Sequence, residues 1–313
     1  MRTAFIETLC ALAEQDERIW LLTGDLGYSV LERFVERFPE RFVNMGVAEQ
    51  NMTGVAAGLA LCDKIVFTYS IANFPVMRCL EQIRNDVCYH NLNVKIVSVG
   101  GGLAYGAAGY THHAAEDLAV MRAMPNMTVV APGDRIELLG AMQAIVAQPG
   151  PCYLRLGKGG EPVIHLDPQP FQLGKAIRLR EGRDITFITT GTILGQAVQA
   201  ADRLAKLGLQ VGVMSVPTLK PLDQEAILLA AEQCQHLITV EEHSSIGGLG
   251  EAVAGVLTAA YRIGQTRLVR IGLAAPLSVT GTQAYLQKAH GLDADSLVKL
   301  ALESMQAPLD HAN

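Results

Sequence analysis

Charge is scarce in this 313-residue chain: Asp, Glu, Lys and Arg together make up 18% of it, against 50% hydrophobic residues. So thinly charged a surface points to partial cover by another subunit. The formal net charge of −6 argues against a nucleic-acid binder and leaves no basic footprint for a membrane. Long apolar runs are absent too. Stretches such as Val55-Ala56-Ala57-Gly58-Leu59-Ala60-Leu61-Cys62 fall far short of the roughly 20 residues that span a bilayer. The N-terminus, Met1-Arg2-Thr3-Ala4-Phe5, lacks the charged-then-apolar layout of a signal peptide, so a cytoplasmic location is expected. The six cysteines, at 10, 62, 79, 88, 152 and 234, include no CxxC pair, and no Cys/His spacing suits zinc. Free buried thiols and no metal site on this chain are the expectation. There is no GxGxxG between a first strand and helix, which argues against a plain dinucleotide-binding Rossmann protein.

What is present is a regular alternation. At roughly 150 residues per domain the length suggests about two domains, with apolar material enough for a large core. Residues 3–15 show helical spacing, and 19–22 read as a buried strand ending at Thr23-Gly24-Asp25. Helical patterns at 30–38, 50–62, 76–90, 115–123 and 134–147 alternate with apolar strands at 65–69, 94–99, 127–131 and 152–155. The helix at 50–62 is apolar nearly all round, with Gly54, Ala57, Gly58 and Ala60, and reads as buried. This rhythm implies a parallel sheet covered on both faces. It breaks at 157–183, rich in Gly and Pro. A second unit then shows strands near 185–190, 210–214, 236–240 and 267–271, and helices near 194–206, 223–232, 248–260 and 282–304. The expected architecture is therefore α/β, two doubly wound domains: 1–160, a linker at 161–182, and a smaller domain at 183–313.

Polar clusters fall where ligands bind in open parallel sheets, outside the carboxyl ends of strands. They are Thr23-Gly24-Asp25-Leu26-Gly27-Tyr28-Ser29, Gly46-Val47-Ala48-Glu49-Gln50-Asn51-Met52, Tyr69-Ser70-Ile71-Ala72-Asn73-Phe74 and Gly109-Tyr110-Thr111-His112-His113. Singly each has a bland reading: Glu49 as a complement to a helix dipole, His112 as a hydrogen-bonded structural histidine, Phe74 as core. Against the first stands the helix that Glu49 opens, which has no polar face. Its carboxylate is therefore expected at a buried or interfacial place, where an unpaired charge is costly.

The chain resembles the C-terminal half of transketolases and of 1-deoxy-D-xylulose-5-phosphate synthases over nearly its whole length. The resemblance is carried by Gly-Asp-Leu-Gly at 24–27, Gly-Val-Ala-Glu at 46–49, Tyr-Ser at 69–70, Thr-His at 111–112, Pro-Asn-Met at 125–127, Ala-Pro-Gly-Asp at 131–134, Lys-Pro-Leu-Asp at 220–223, and Glu-Glu-His then Gly-Gly-Leu-Gly within 241–250. It implies a thiamine-diphosphate pyrimidine-binding domain followed by a C-terminal transketolase domain. It implies that Glu49 hydrogen-bonds the aminopyrimidine N1′, so that the cofactor's own amino nitrogen takes the thiazolium proton. Phe74 would stack on the pyrimidine, Asp25 would lie near the cofactor, and His112 would face the reacting end of the sugar. Arg2, Ser29 and Lys158 match positions that grip an anionic end group.

Two departures stand out. Where full-length transketolases carry an aspartate that reads a sugar hydroxyl, this chain has Ala108; where they carry a histidine that grips the sugar phosphate, it has Gly100. The Gly-Asp-Gly…Asn-Asn signature that holds Mg²⁺ and the diphosphate is missing. The resemblance thus implies a separate N-terminal subunit carrying Mg²⁺ and the diphosphate, in an α2β2 assembly. That assembly would move a two-carbon ketol unit between a ketose with a phosphate or sulfonate end and an aldose. Two other readings stay open from sequence: the beta subunit of a 2-oxoacid dehydrogenase, and a noncatalytic scaffolding or regulatory subunit.

Overall fold

The computed structural model describes residues 1–167, 170–260, 266–274 and 277–306. Among them, β1 (Ile19–Thr23), β2 (Phe42–Asn44), β3 (Ile65–Ile71), β4 (Val94–Val99), β5 (Thr128–Val130) and β6 (Cys152–Leu156) build the first unit. The second contains β7 (Ile177–Arg180), β8 (Ile185–Thr190), β9 (Val211–Ser215), β10 (Thr218–Lys220), β11 (His236–Ser244) and β12 (Arg267–Leu273). The first sheet has the order β10-β5-β6-β4-β3-β1-β2, the second β12-β11-β8-β9-β7. All pairings are parallel except β10 on β5 and β7 on β9. Strands such as Val94–Val99 and Cys152–Leu156 are buried at every position, Lys95, Ser98 and Arg155 included, as a parallel sheet covered on both faces demands.

Strand β10 shows how the units are joined. It follows β9 in the second unit yet pairs with the edge of the first sheet. Beside it, the Ala131 amide donates to Pro217 and the Gly191 amide to Ala131. One buried apolar cluster accordingly mixes Met121, Met127 and Ala131 of the first unit with Ile188, Met214 and Val216 of the second.

Two helices differ from their sequence patterns. Periodicity predicts one helix over 76–90; the chain instead forms Phe74–Met77, Leu80–Gln82 and a π-helical turn at Ile83–Cys88. The pattern over 282–304 splits into Gln283–Ala289 and Ala294–Gln306 because Gly291 turns at φ +71°, a conformation glycine adopts without a Cβ penalty. The helix Glu49–Leu61 buries only one side: Met52, Thr53, Ala56 and Ala57 pack inward. Gln50, Asn51, Gly54 and Gly58 lie open, and a Cβ on either glycine would meet nothing within 4 Å.

Candidate functional site

Because β6, β4, β3, β1 and β2 are neighbouring parallel strands, their carboxyl ends share one edge. The loop after β6 carries Lys158, that after β4 carries Tyr105 and His112, and that after β3 carries Phe74 and Arg78. The β1 loop carries Asp25 and Ser29, and the β2 loop leads into Glu49. With strands ~4.8 Å apart, these five loops form a strip roughly 20 Å long.

Glu49 begins its helix and is 3% exposed. Its two carboxylate oxygens accept hydrogen bonds from Arg78 Nη1 at 3.2 and 3.1 Å. The same guanidinium lies 4.2 Å from the centre of the Phe74 ring, so a planar cation fills the gap between carboxylate and aromatic face. A Cβ on Gly24 would make ordinary van der Waals contact with Glu49 Cγ at 3.4 Å and Ser70 Oγ at 3.7 Å. The Ser70 hydroxyl is buried beside it with no hydrogen-bond partner.

Asp25 sits on the rim, exposed, at φ +56°. Its carboxylate accepts from the Asn44 amide at 2.9 Å and the Tyr28 hydroxyl at 3.0 Å. These two bonds, Asn44 first, hold it below the ordinary carboxylate range. Asn44 also accepts from the amides of Asp25 at 3.1 Å and Gly46 at 3.0 Å, which fastens the Asp25 loop to the approach to Glu49. Ser29, likewise exposed, gives its amide to Glu32 at 2.7 Å.

His112 stands edge-on to Phe74 with ring centres 5.1 Å apart, and 6.0 Å from Tyr105. Its Nδ1 is engaged by the Thr111 hydroxyl at 3.0 Å, and the Asn73 amide donates to the Thr111 carbonyl at 3.1 Å. The loop bearing His112 is gripped at both ends by the second unit. Buried Glu242 accepts from the Leu103 amide at 2.7 Å, and the Ser244 amide donates to Ala115 at 2.6 Å. Arg155 Nη2 donates to the carbonyls of Ala114 at 2.7 Å and Glu242 at 3.0 Å. Arg155 is itself fixed by a buried ion pair with Asp117 at 2.8 Å. Gly102, at φ +63°, makes this approach possible, since a Cβ would lie 2.6 Å from Glu242 Cγ.

At the far end, Lys158 Nζ lies 4.6 Å from the Tyr105 ring centre, and Arg2 comes within 3.7 Å of where a Cβ on Gly159 would be. Burial raises the Tyr105 phenol, and the nearby Arg2 charge opposes that rise. Beyond Lys158 a cavity of about 210 Å³ opens between the units, lined in part by Gly159, Thr192, Gln196, Gln283 and Gln287. The structure thus gathers Glu49 and Phe74 at one end, His112 between, and Arg2 with Lys158 at the other; Asp25 and Ser29 stay on the rim.

Residues 1–161 match the pyrimidine binding domain of transketolase and residues 174–297 the transketolase C-terminal domain. The chain belongs to the transketolase family. It is 41% identical over 307 residues to one subunit of the apulose-4-phosphate transketolase of Phocaeicola vulgatus, covering 96% of each chain. It is 39% identical over 306 residues to the 6-deoxy-6-sulfo-D-fructose transketolase subunit SqwH of Clostridium sp., covering 97% of this chain and 94% of that one. A split gene transketolase solved as an inactive beta4 tetramer superposes with a TM-score of 0.88 at 37% identity, over 97% of each chain. Thiamine diphosphate is the cofactor that this transketolase family implies.

Motif reading does not reach Arg78, Asn44 or Tyr105. Arg78 has one sequence signal, a lone cation inside the apolar stretch Phe74-Pro75-Val76-Met77-Arg78-Cys79-Leu80. Glu242 lies in the Glu-Glu-His motif, but its grip on a loop some 140 residues upstream is a tertiary fact.

Proposed function

We propose that this chain is the pyrimidine-binding subunit of a split, thiamine-diphosphate-dependent transketolase. With a partner subunit that holds Mg²⁺ and the diphosphate, in an α2β2 assembly, it would move a two-carbon ketol unit from a ketose with a phosphate or sulfonate end to an aldose. One observation carries the reading: the buried Glu49 carboxylate faces the Phe74 ring across a gap that already accommodates a flat, hydrogen-bonding group, the Arg78 guanidinium. An aminopyrimidine offers the same shape, and the buried, unpartnered Ser70 hydroxyl beside Glu49 suits a hydrogen-bonding ligand.

Glu49 would hydrogen-bond the pyrimidine edge, Phe74 would stack on the ring, and Asp25 would border the cofactor from the rim. When bound, thiamine diphosphate supplies the nucleophilic carbon that takes up the two-carbon unit. His112, its Nδ1 occupied by Thr111, turns Nε2 to the sugar hydroxyls. Arg2 and Lys158 bind the anionic end, with Ser29 as a further contact. The names of the two relatives, one for a sugar phosphate and one for a sulfosugar, support an anion there. The open face at Gly54 and Gly58 and the exposed Tyr28, Val47 and Tyr110 around the mouth support a partner covering this edge.

The test is to assemble the chain with a partner carrying the diphosphate-binding domain. Glu49→Gln should cut turnover about 10²–10⁴-fold, the usual worth of a general acid–base group. Calorimetry should show weak thiamine diphosphate binding by the chain alone. Submicromolar binding without a partner, or unchanged turnover in Glu49→Gln, would overturn the proposal.

A further inference from the structure

We propose that Tyr105 determines specificity on the sugar side of the site: its ring is the wall along which the sugar chain lies between His112 and the Lys158 cation. This rests on the transketolase reading above. Gly100 adopts φ +81°, and a Cβ on it would fall on the Tyr105 ring. The ring therefore occupies the space that a side chain at position 100 would claim, at the very place where the resemblance sets a phosphate-gripping histidine. Tyr105 is in contact with both groups: its ring centre lies 6.0 Å from that of His112 and 4.6 Å from Lys158 Nζ.

This exchange of an imidazole position for a phenol changes what the pocket reads. A neutral ring supplies no charge to the anion, so charge balance falls to Lys158 and Arg2. An aromatic face packs against the C–H surface of a sugar chain. It also holds the long Lys158 side chain in one place through the cation–π contact, so part of the ordering that anion binding requires is already done. The ring is rigidly carried. Its loop is tied at Leu103 to buried Glu242 at 2.7 Å, and Gly102 bridges to Ala114. Tyr105 thus acts as a spacer, favouring a ketose whose anion lies at the far end of its chain, past the ring.

The test compares Tyr105→Phe and Tyr105→Ala chains, each assembled with the partner subunit, using fructose 6-phosphate and fructose as donors. Calorimetric binding of inorganic phosphate is a readout that needs no turnover. Tyr105→Phe keeps the ring and should stay within about 2-fold of wild type. Tyr105→Ala should raise KM for fructose 6-phosphate and weaken phosphate binding about 3- to 10-fold, the range of an exposed to partly desolvated cation–π contact. It should raise KM for fructose by a smaller factor, the share owed to packing of the sugar chain on the ring, and leave thiamine diphosphate affinity intact. Equal KM shifts for both sugars, or phosphate binding identical in Tyr105→Ala and wild type, would overturn the proposal. If the wild-type complex transfers from neither sugar, fructose 6-phosphate is not its donor, while the phosphate measurement by itself still decides whether Tyr105 orders the anion site.

Discussion

Consider Arg78→Ala in the chain by itself. Its guanidinium makes two contacts at once: hydrogen bonds of 3.1–3.2 Å to Glu49 and a face contact of 4.2 Å with Phe74. Fully dry, a charge-assisted hydrogen bond is worth about 1.5–3 kcal/mol. Here one partner is 3% and the other 49% exposed, so screening brings the pair down to about 1 kcal/mol. The cation–π contact adds about 0.5–1 kcal/mol. Removing Arg78 also leaves the Glu49 carboxylate buried without its cation, a penalty of the kind that makes one-sided deletion worse than loss of both partners. Arg78→Ala should therefore cost about 2 kcal/mol, read as a fall in Tm of roughly 4 °C. Glu49→Gln should cost less, because its amide oxygen still accepts from Arg78. In the double mutant the two effects should not add: the coupling should be about 1 kcal/mol, well above the ~0.3–0.5 kcal/mol scatter of independent sites. Strict additivity in differential scanning fluorimetry of the four chains would show that the guanidinium does not hold the carboxylate in solution, and would refute the gap beside Glu49 as a place for a flat, hydrogen-bonding ring.

Other outcomes are expected from the same geometry. Lys158→Ala should raise KM for an anionic donor about 10- to 100-fold, as loss of a charge-assisted bond implies, and barely alter KM for its uncharged analogue; equal shifts would show Lys158 to be a solvated loop residue. Asp117→Asn, which breaks the buried pair with Arg155, should lower stability by about 3–5 kcal/mol in denaturant titration, and a cost under about 1 kcal/mol would refute burial of that pair. Glu242→Gln should speed amide exchange in residues 103–115 while Thr266→Val, in the same unit but bonded to Cys234, should not. Glu241 sets a pH dependence: burial outweighs the bonds from the Gly250 and Leu249 amides and pushes its carboxyl up to about 7. The folded state then holds the proton more tightly than the unfolded one, so this contribution is complete below pH ~4.5 and is lost as pH rises to about 7, worth about 3 kcal/mol at most; Glu241→Gln should flatten the stability profile in that window.

The residues of the chain by themselves determined the alternation of elements and the place of the site. The strand Val94–Val99 is apolar at all positions but Lys95 and Ser98 and is buried on both faces. Parallel order then puts every following loop on one edge, so Asp25, Glu49, Phe74, His112 and Lys158 share it. Glu49 is buried as expected, but the premise that its helix has no polar face does not hold, since Gln50 and Asn51 lie open. Other features depended on partners far away in sequence. β2, β7 and β10 are three or four residues long, too short for periodicity to register; β7 and β10 exist only because an antiparallel edge was free to receive them. The open side of Glu49–Leu61 could not be told from its buried side, because glycine and alanine suit either. The contact of Arg78 with Glu49, the ring of Tyr105 over Gly100, and the hold of Glu242 on the His112 loop were decided only by tertiary structure. Each joins loops or units whose approach depends on strand order and backbone turns, and no local pattern of residue types encodes that distance.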